Sequence, residues 1–291
     1  MEDYILRITA GGGSVAAFIA TTKNTVNTAA EIHRSSPVVT AALGRLLTAA
    51  AMMSLQLKND DDLLTLNIKG DGPIGGILAT SDRFARVKGY AVNNLVEIPL
   101  KKNGKLDVPR AIGSGNLHVL KDLGLKEPYA GTIPLTTGEI AEDLCQYFTV
   151  SEQTPSAIGL GVSVDTDHSV RQAGGFMIQP LPGADDMIIS RLERIIGNFG
   201  SITSFYDEGK TPYDLADHFF GDIGYNVNER ISMEYYCNCG RDRAERALIS
   251  LGKNEIEKII KEDGKIELHC HFCGKDYVFG DEILINIPNG K

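Results

Sequence analysis

Four cysteines near the end of the chain are the residues whose types and spacing most clearly point to chemistry. Cys237 and Cys239 form a CxC pair, and Cys270 and Cys273 form a CxxC pair. Two close pairs that a fold brings together present four thiolates at tetrahedral spacing, and zinc is the metal that fits this set. The second pair runs into Gly274, as in the tight turn of zinc knuckles. We therefore predict one sulfur-ligated zinc ion per chain in the reduced protein.

The predicted ligand set restricts what the site can do. Four thiolates leave no open position for water or substrate, which argues against a zinc hydrolase. The thiolate is also the form of cysteine that oxidants attack, and each pair is close enough in sequence to form a disulfide within itself. A structural role and a redox role both remain open. His269 and His271 are alternative ligands, and Arg241, Arg243 and Lys275 are expected to offset the negative charge.

The other motifs give weaker signals. Residues 70–75 match GxGxxG, but Pro73 leaves no helix N-terminus to hold a pyrophosphate, so we predict a turn between strands. The glycines at 11–13 lack the lysine-threonine pair of a phosphate loop and predict a turn or bulge. The histidines are scattered, and none is matched with a nucleophile. Cys145 lies beside the apolar stripe of a predicted helix, which predicts a small buried hydrophobic residue. We expect no enzymatic activity and no nucleotide site.

Composition limits the class of protein. The 291 residues carry a net charge of -9 and are 43% hydrophobic, which is enough for a proper core. An acidic chain argues against binding nucleic acid through its phosphates. No basic, apolar leader is visible at the N-terminus, and the longest apolar stretch, 37–57, carries Arg45 near its middle. We expect a soluble, cytoplasmic protein without a membrane span, whose paired cysteines serve metal or redox chemistry.

The patterning predicts an α+β fold in three parts. An N-terminal mixed α/β sheet domain covers residues 1–180, a helical linker 181–231, and a small C-terminal zinc-binding domain 232–291. Within the first part, alternation and apolar runs predict strands, a long helix at 38–57 and a second helix that a capping box opens at 136–139. The predicted strands are 64–69, 83–92, 158–164 and 176–179.

The segment 181–231 has apolar residues at helical spacing. Ordinary helices packed on the first domain would explain this pattern, and so would a linker whose apolar face can be uncovered. In the last part, two helices lie between the cysteine pairs, and strands at 265–269 and 277–279 form a hairpin. In the reduced protein we expect the helices of 181–231 to bury six apolar side chains against neighbours, and the same side chains could contact a partner when they are uncovered. They are Met187, Ile188, Leu192, Ile195, Ile196 and Phe199.

Over nearly its whole length the sequence resembles the 33-kDa chaperonin family, the redox-regulated heat-shock chaperones of bacteria. The resemblance rests first on the CxC and CxxC pairs at their C-terminal position. It also rests on the stretch SPVVTAALGRLLTAA at 36–50 and on KGDGPIG at 69–75. Further matches are VKGY at 87–90, AGGF at 173–176 and LPGA at 181–184. Gly240 after the first pair departs from the serine expected there.

The resemblance implies a stress-response chaperone that needs no nucleotide. Such a protein holds zinc and is inactive when reduced. Oxidation forms the disulfides Cys237–Cys239 and Cys270–Cys273, releases zinc, and unfolds the zinc-binding domain and the linker. The exposed apolar surface then binds unfolding client proteins, and the active form is a homodimer. Residues 1–180 would be the chaperone core, and residues 232–291 the redox-switch domain.

Three other classes share part of this pattern. A zinc-ribbon nucleic-acid-binding protein has similar cysteine spacing, although the acidic charge counts against it. A thiol-disulfide oxidoreductase uses a CxxC pair, but at a helix N-terminus after a βαβ unit rather than in a hairpin knuckle. A purely structural zinc site in another α/β protein is the third.

Overall fold

The computed structural model describes residues 2–286, and the chain divides into two compact units at the Tyr236–Cys237 junction. The strands are β1 (Tyr4–Ala10), β2 (Val15–Thr21), β3 (Leu63–Gly70), β4 (Gly76–Asp82), β5 (Arg86–Ala91), β6 (Gly115–Asp122), β7 (Tyr129–Pro134), β8 (Ala157–Val164), β9 (Val170–Pro180), β10 (Tyr225–Ser232), β11 (Glu234–Tyr235), β12 (Ile266–His269) and β13 (Asp276–Phe279). The helices are α1 (Lys23–His33), α2 (Pro37–Ser54), α3 (Val108–Ile112), α4 (Ile140–Ser151), α5 (Asp186–Gly197), α6 (Ile202–Asp207), α7 (Pro212–Phe220), α8 (Arg241–Ile249) and α9 (Lys253–Asp263).

The first unit contains two sheets. The first sheet has the strand order β10-β1-β2-β9-β8 and is antiparallel throughout. The second sheet has the order β11-β5-β4-β3-β6-β7, and its one parallel pair is β11 with β5. In β3 the alternation of Leu64, Leu66 and Ile68 places all three side chains in the core, as the sequence predicts.

Helix α2 packs against strands of both sheets and forms the centre of the larger core. It is long and apolar enough to cross a membrane by length and composition alone, but 89% of it is buried within the protein, as in the core helix of a soluble protein. Gly44 lets α1 approach, because a Cβ there would lie 2.5 Å from a methyl group of Val26. The charge of the half-buried Arg45 is matched by Glu139, 2.7 Å away. Burial raises the pKa of Glu139, yet Lys101 and Arg45 together hold that pKa below its ordinary value.

Helices α5, α6 and α7 cover the other face of the first sheet. Their apolar side chains and those of β1, β2 and β9 form a second core cluster. Phe199, just beyond α5, lies edge-on to Phe176 of β9 and to Phe219 of α7. Residues 181–231 therefore pack as ordinary helices do, but the predicted helical segment is not helical throughout. Its last residues form β10, which pairs with β1.

The second unit is small. Helices α8 and α9 pack on the hairpin of β12 and β13, and Gly264 ends α9 in the left-handed conformation that turns the chain into β12. This matches the predicted order of two helices and a hairpin. Among the described residues, its buried apolar core consists of Leu248, Ile256, Ile260, Ile266, Phe279 and Ile283.

Three local predictions have different outcomes. The turn at 70–75 is confirmed, since it joins β3 to β4. The strand predicted at 83–92 begins only at Arg86, and β4, which follows the predicted turn, was given no bounds in the prediction. The capping box at 136–139 is wrong. The backbone N–H groups of Thr136 and Thr137 are instead bound by Asp143 Oδ1, at 2.7 and 3.1 Å, because this buried carboxylate in α4 reaches back over the first turn.

Candidate metal centre

The second unit brings the four cysteines of the two pairs together. Cys237 and Cys239 lie in the extended segment that leads into α8, while Cys270 and Cys273 lie in the turn that joins β12 to β13. All four sulfur atoms are within 4.8 Å of one another, and all four side chains are partly buried. Across residues 2–286, no other group of histidine, cysteine and acidic side chains converges in this way.

The spacing of the sulfur atoms fits zinc. The Sγ atoms of Cys237 and Cys270 are 3.7 Å apart, and those of Cys239 and Cys273 are 3.2 Å apart. Tetrahedral zinc with bonds of about 2.3 Å needs sulfur atoms about 3.8 Å apart. The donor set, four thiols without an oxygen or nitrogen ligand, is also the set that structural zinc sites use. These residues could therefore hold one metal ion, and zinc is consistent with them.

Backbone N–H groups and a tyrosine support the sulfur atoms. Gly274 has a φ of 69°, and its N–H donates to the carbonyl of Cys270, which closes the knuckle at 2.8 Å. The N–H of Lys275 then donates to the sulfur of Cys273. In the strand that follows, the hydroxyl of Tyr277 donates to Cys239 Sγ at 3.1 Å. Such outer hydrogen bonds orient ligands and stabilise their charged form.

The pKa values of Cys237, Cys239 and Cys273 are shifted in different directions. Burial raises the pKa of Cys239, but the donated hydrogen bonds from Tyr277 and Cys273 outweigh it and lower that pKa to about 7. Burial and the hydrogen bond to Cys239 raise the pKa of Cys273, and burial also raises the pKa of Cys237. The thiol of Cys239 is therefore the easier one to deprotonate, whereas the raised pKa values of Cys237 and Cys273 oppose further negative charge. A bound cation would remove that resistance.

The alternative ligands lie apart from the sulfur cluster. His269 Nδ1 pairs with Asp276 Oδ1 at 2.7 Å across the hairpin, and the rings of His269 and His271 lie edge to face. Cys145 belongs to the first unit, where its half-buried sulfur accepts the N–H of Ile158. Burial raises the pKa of Cys145, which opposes reactivity. Cys145 is thus less buried than the sequence predicts, and it lies outside the sulfur cluster.

Two residues near the cluster differ from expectation. Tyr277 was not identified from the sequence, and its place in a strand directly after a knuckle is the signal that could have indicated it. Arg241 was expected to offset thiolate charge, but it contacts the hairpin instead. Its guanidinium donates to the carbonyl of Val278, pairs with Glu282 and lies 4.4 Å from the ring centre of Phe279.

The apolar residues predicted to contact a partner lie in and after α5. Leu192 is buried, with 3% of its surface exposed, and most of the others are half-buried in the second core cluster. Met187 is 77% exposed, so the expectation that it packs against a neighbour is wrong. It shares a helix face with Arg191 and Arg194, because residues three to four positions apart lie above one another. The half-buried residues are Ile188, Ile195, Ile196 and Phe199.

Comparison with known proteins identifies the family. The family model described as Hsp33 protein matches residues 3–280 of this chain. The chain belongs to the Hsp33 family. A 33 kDa chaperonin from Lachnoclostridium phytofermentans is 48% identical over 287 residues, covering 99% of this chain and 98% of the relative. The 33 kDa chaperonin of Clostridioides difficile is 47% identical over 288 residues, 99% of each chain.

A solved structure agrees with this assignment. The crystal structure of the 33 kDa chaperonin from Thermotoga maritima, a heat shock protein 33 homolog, matches with a TM-score of 0.90 and 39% identity. The match covers 99% of this chain and 98% of the other. Membership of the Hsp33 family confirms the predicted fold class and the resemblance. It supports a chaperone function, and it suggests a protein that is not an enzyme.

Proposed function

We propose that this protein is a redox-regulated holdase, a chaperone that keeps thermally unfolding and oxidatively damaged proteins from aggregating. The observation that carries the proposal is the convergence of four thiols in a chain of the Hsp33 family. A site of four sulfur ligands has no open coordination position, so its chemistry lies in the ligands themselves. The reduced protein would hold one zinc ion at Cys237, Cys239, Cys270 and Cys273 and be inactive.

Activation begins with oxidation of the thiols. Two thiolates give up two electrons to an oxidant and form one disulfide, and with hydrogen peroxide the oxygen atoms leave as water. We propose the pairs Cys237–Cys239 and Cys270–Cys273. A sulfur in a disulfide no longer serves as a thiolate ligand, so both disulfides together remove the set that holds the metal. Zinc binding supplies about 10–16 kcal/mol in small zinc-binding peptides. A unit with so few buried residues should unfold without it.

Client binding would then use apolar surface that the reduced protein keeps covered. We propose residues 1–180 as the chaperone core, 181–231 as the linker and 232–291 as the redox-switch domain. When the linker loosens, the apolar faces of α5 to α7 and the sheet beneath them become accessible to clients. Exposed surface of this kind also favours a second copy, so we propose a homodimer as the active form. The proposal requires no nucleotide, nucleic acid or membrane, and it places the protein in the cytoplasm.

Peroxide titration tests the proposal. The reduced, zinc-loaded protein is treated with increasing peroxide, and released zinc, free thiols and suppression of client aggregation by light scattering are measured on the same samples. All three should change together, with one zinc released per chain and no need for nucleotide. Cys145→Ser is the matched control, because it removes a thiol and leaves the cluster intact, so it should behave as the parent does. Zinc release without any gain in activity would refute the proposed switch.

A further inference from the structure

Strand β10 and its neighbour β1 differ sharply in burial. In β1, every residue except Arg7 and Thr9 is buried. In β10, no residue is buried: Tyr225, Val227 and Ile231 are half-buried and the other five are exposed. Backbone hydrogen bonds to β1 therefore hold β10 in place, and its side chains add mainly surface contacts, such as Thr9 with Asn228 and the guanidinium of Arg230 over the ring of Tyr4. The mostly polar edge strand β10 thus lies beside the apolar strand β1 in the same sheet.

The pairing between the two strands is also interrupted. Arg7 pairs with Glu229, but the next residue, Ile8, pairs with Val227, so Asn228 is the extra residue of a β-bulge. The bulge reverses the faces of β10. Val227 contacts the core cluster under α5 to α7, whereas Ile231 contacts the cluster around α2. A segment that changes face midway buries little apolar surface on either side.

The hydrogen bonds at both ends of this ladder show which amides of β1 face β10. The N–H of Met233 donates to the carbonyl of Asp3, and the N–H of Gly11 donates to the carbonyl of Gly224. Hydrogen-bonded pairs alternate along an antiparallel ladder. The amides of β1 that face β10 are therefore those of Ile5, Arg7 and Thr9. The intervening amides, which face β2, are those of Leu6, Ile8 and Ala10.

Strand β10 lies close to the cysteines in the sequence, with only the short strand β11 between them. It follows α7 and ends at Ser232, five residues before Cys237. The opposite edge of the same sheet is covered at two points. There the N–H of Ile158 in β8 donates to Cys145, and a Cβ at Gly161 would lie 3.0 to 3.2 Å from side-chain atoms of α6. Removing β10 would expose the whole outer edge of β1.

We propose that the edge of β1 that now pairs with β10 is a client-binding site. While the protein is inactive, β10 occupies this edge and blocks it. The occupant in the active protein is an extended segment of an unfolding client, with apolar side chains at alternate positions. It adds to β1 as a strand, using the same backbone groups that β10 uses now. Hydrogen bonds between backbones do not depend on the amino-acid sequence of the client, so such an edge can bind many different clients. This inference rests on the proposed function and names the surface that serves it.

Residue-resolved hydrogen exchange tests the site directly. In the oxidised full-length protein, the amides of Ile5, Arg7 and Thr9 should lose protection, and they should regain it when a thermally unfolded client is bound. The amides of Leu6 and Ile8 should stay protected throughout, which shows that β1 remains in the sheet. Aggregation of the client is followed on the same samples, so that a failure of the proposed function is seen separately as absence of activity.

Three results would overturn the inference while leaving holdase activity intact. The amides of Ile5, Arg7 and Thr9 could stay protected after oxidation, which means that β10 does not leave β1. They could stay unprotected in the client complex, which means that clients bind elsewhere. They could regain protection without client as the protein concentration rises, which means that a second copy takes the edge.

Two peptides with the sequence of β10 provide a matched control, because they share every side chain. One is N-methylated at the positions of Asn226, Glu229 and Ile231, whose N–H groups face β1. The other is N-methylated at the positions of Val227, Arg230 and Ser232, whose N–H groups face away. Only the second should compete with client for the oxidised protein. Equal competition by both peptides would exclude backbone pairing.

Discussion

A pair of substitutions in helix α5 tests whether release of the linker is enough to activate the protein, because neither substitution changes the cysteines. Leu192→Ala removes a side chain that is 3% exposed, whereas Met187→Ala removes one of similar size that is 77% exposed. Alanine is the best helix former, so neither change penalises the helix itself. Truncating a buried leucine costs about 2–5 kcal/mol. Truncation at the exposed site should change stability by no more than about 0.5 kcal/mol.

The cost at Leu192 converts into a measurable opening of the helix. Since about 1.4 kcal/mol is a factor of ten in an equilibrium, the open fraction of α5 should rise roughly 30- to 5,000-fold. Both variants are kept reduced and zinc-loaded, and amide exchange in α5 is measured beside suppression of client aggregation. Leu192→Ala should exchange faster by that factor and show chaperone activity without oxidant, whereas Met187→Ala should match the parent. Faster exchange with no gain in activity would refute the idea that linker release is the switch.

Three further substitutions test the metal centre and the core. Tyr277→Phe removes the hydroxyl that stabilises the Cys239 thiolate, so the pKa of Cys239 should rise. Chelator competition should then show a roughly 10- to 100-fold loss of zinc affinity. As the pH is lowered, the variant should release zinc at a higher pH than the parent does. Glu139→Gln should destabilise the first unit by about 1.5–3 kcal/mol at neutral pH. Because the folded-state pKa of Glu139 is lowered, the difference from the parent in denaturant unfolding should disappear as pH falls through that value. Cys145→Ser should keep one zinc per chain by metal analysis, since Cys145 is not part of the cluster.

Much of the fold follows from local patterns in the sequence. The apolar run of α2, the alternation in β3 and the order of elements in the second unit are all predicted correctly. Periodicity does not tell which face of a helix meets the sheet. For this reason both Met187 and Leu192 are predicted to be buried, whereas only Leu192 is. Strand β10 carries almost no signal, because its bulge breaks the alternation that identifies a strand and its residues are mostly polar.

The candidate site was easier to predict than the fold around it. Thiols in two tight pairs indicate a metal site almost without regard to the rest of the sequence, because they supply the four sulfur ligands that structural zinc sites use. The supporting residues depend on the fold. Tyr277 contacts Cys239 only because β13 runs back beside the first knuckle. Arg241 contacts the hairpin because its guanidinium binds the carbonyl of Val278 and the carboxylate of Glu282.

The pairing of the cysteines decides whether oxidation loosens or tightens the second unit. In the structure, sulfur atoms of different pairs lie 3.7 and 3.2 Å apart although their residues are 33 and 34 positions apart in sequence, so a shared metal ion would tie distant parts of the unit together. A covalent cross-link over such a loop would stabilise the unit by about 3–4 kcal/mol. The proposed disulfides instead close loops of a few residues, which constrain the unfolded chain little, and they remove the long-range tie. Peptide mapping of the oxidised protein should therefore find Cys237–Cys239 and Cys270–Cys273 in samples whose second unit is unfolded. If Cys237–Cys270 and Cys239–Cys273 were found in the active protein, the second unit should remain folded, and its unfolding could not be the signal.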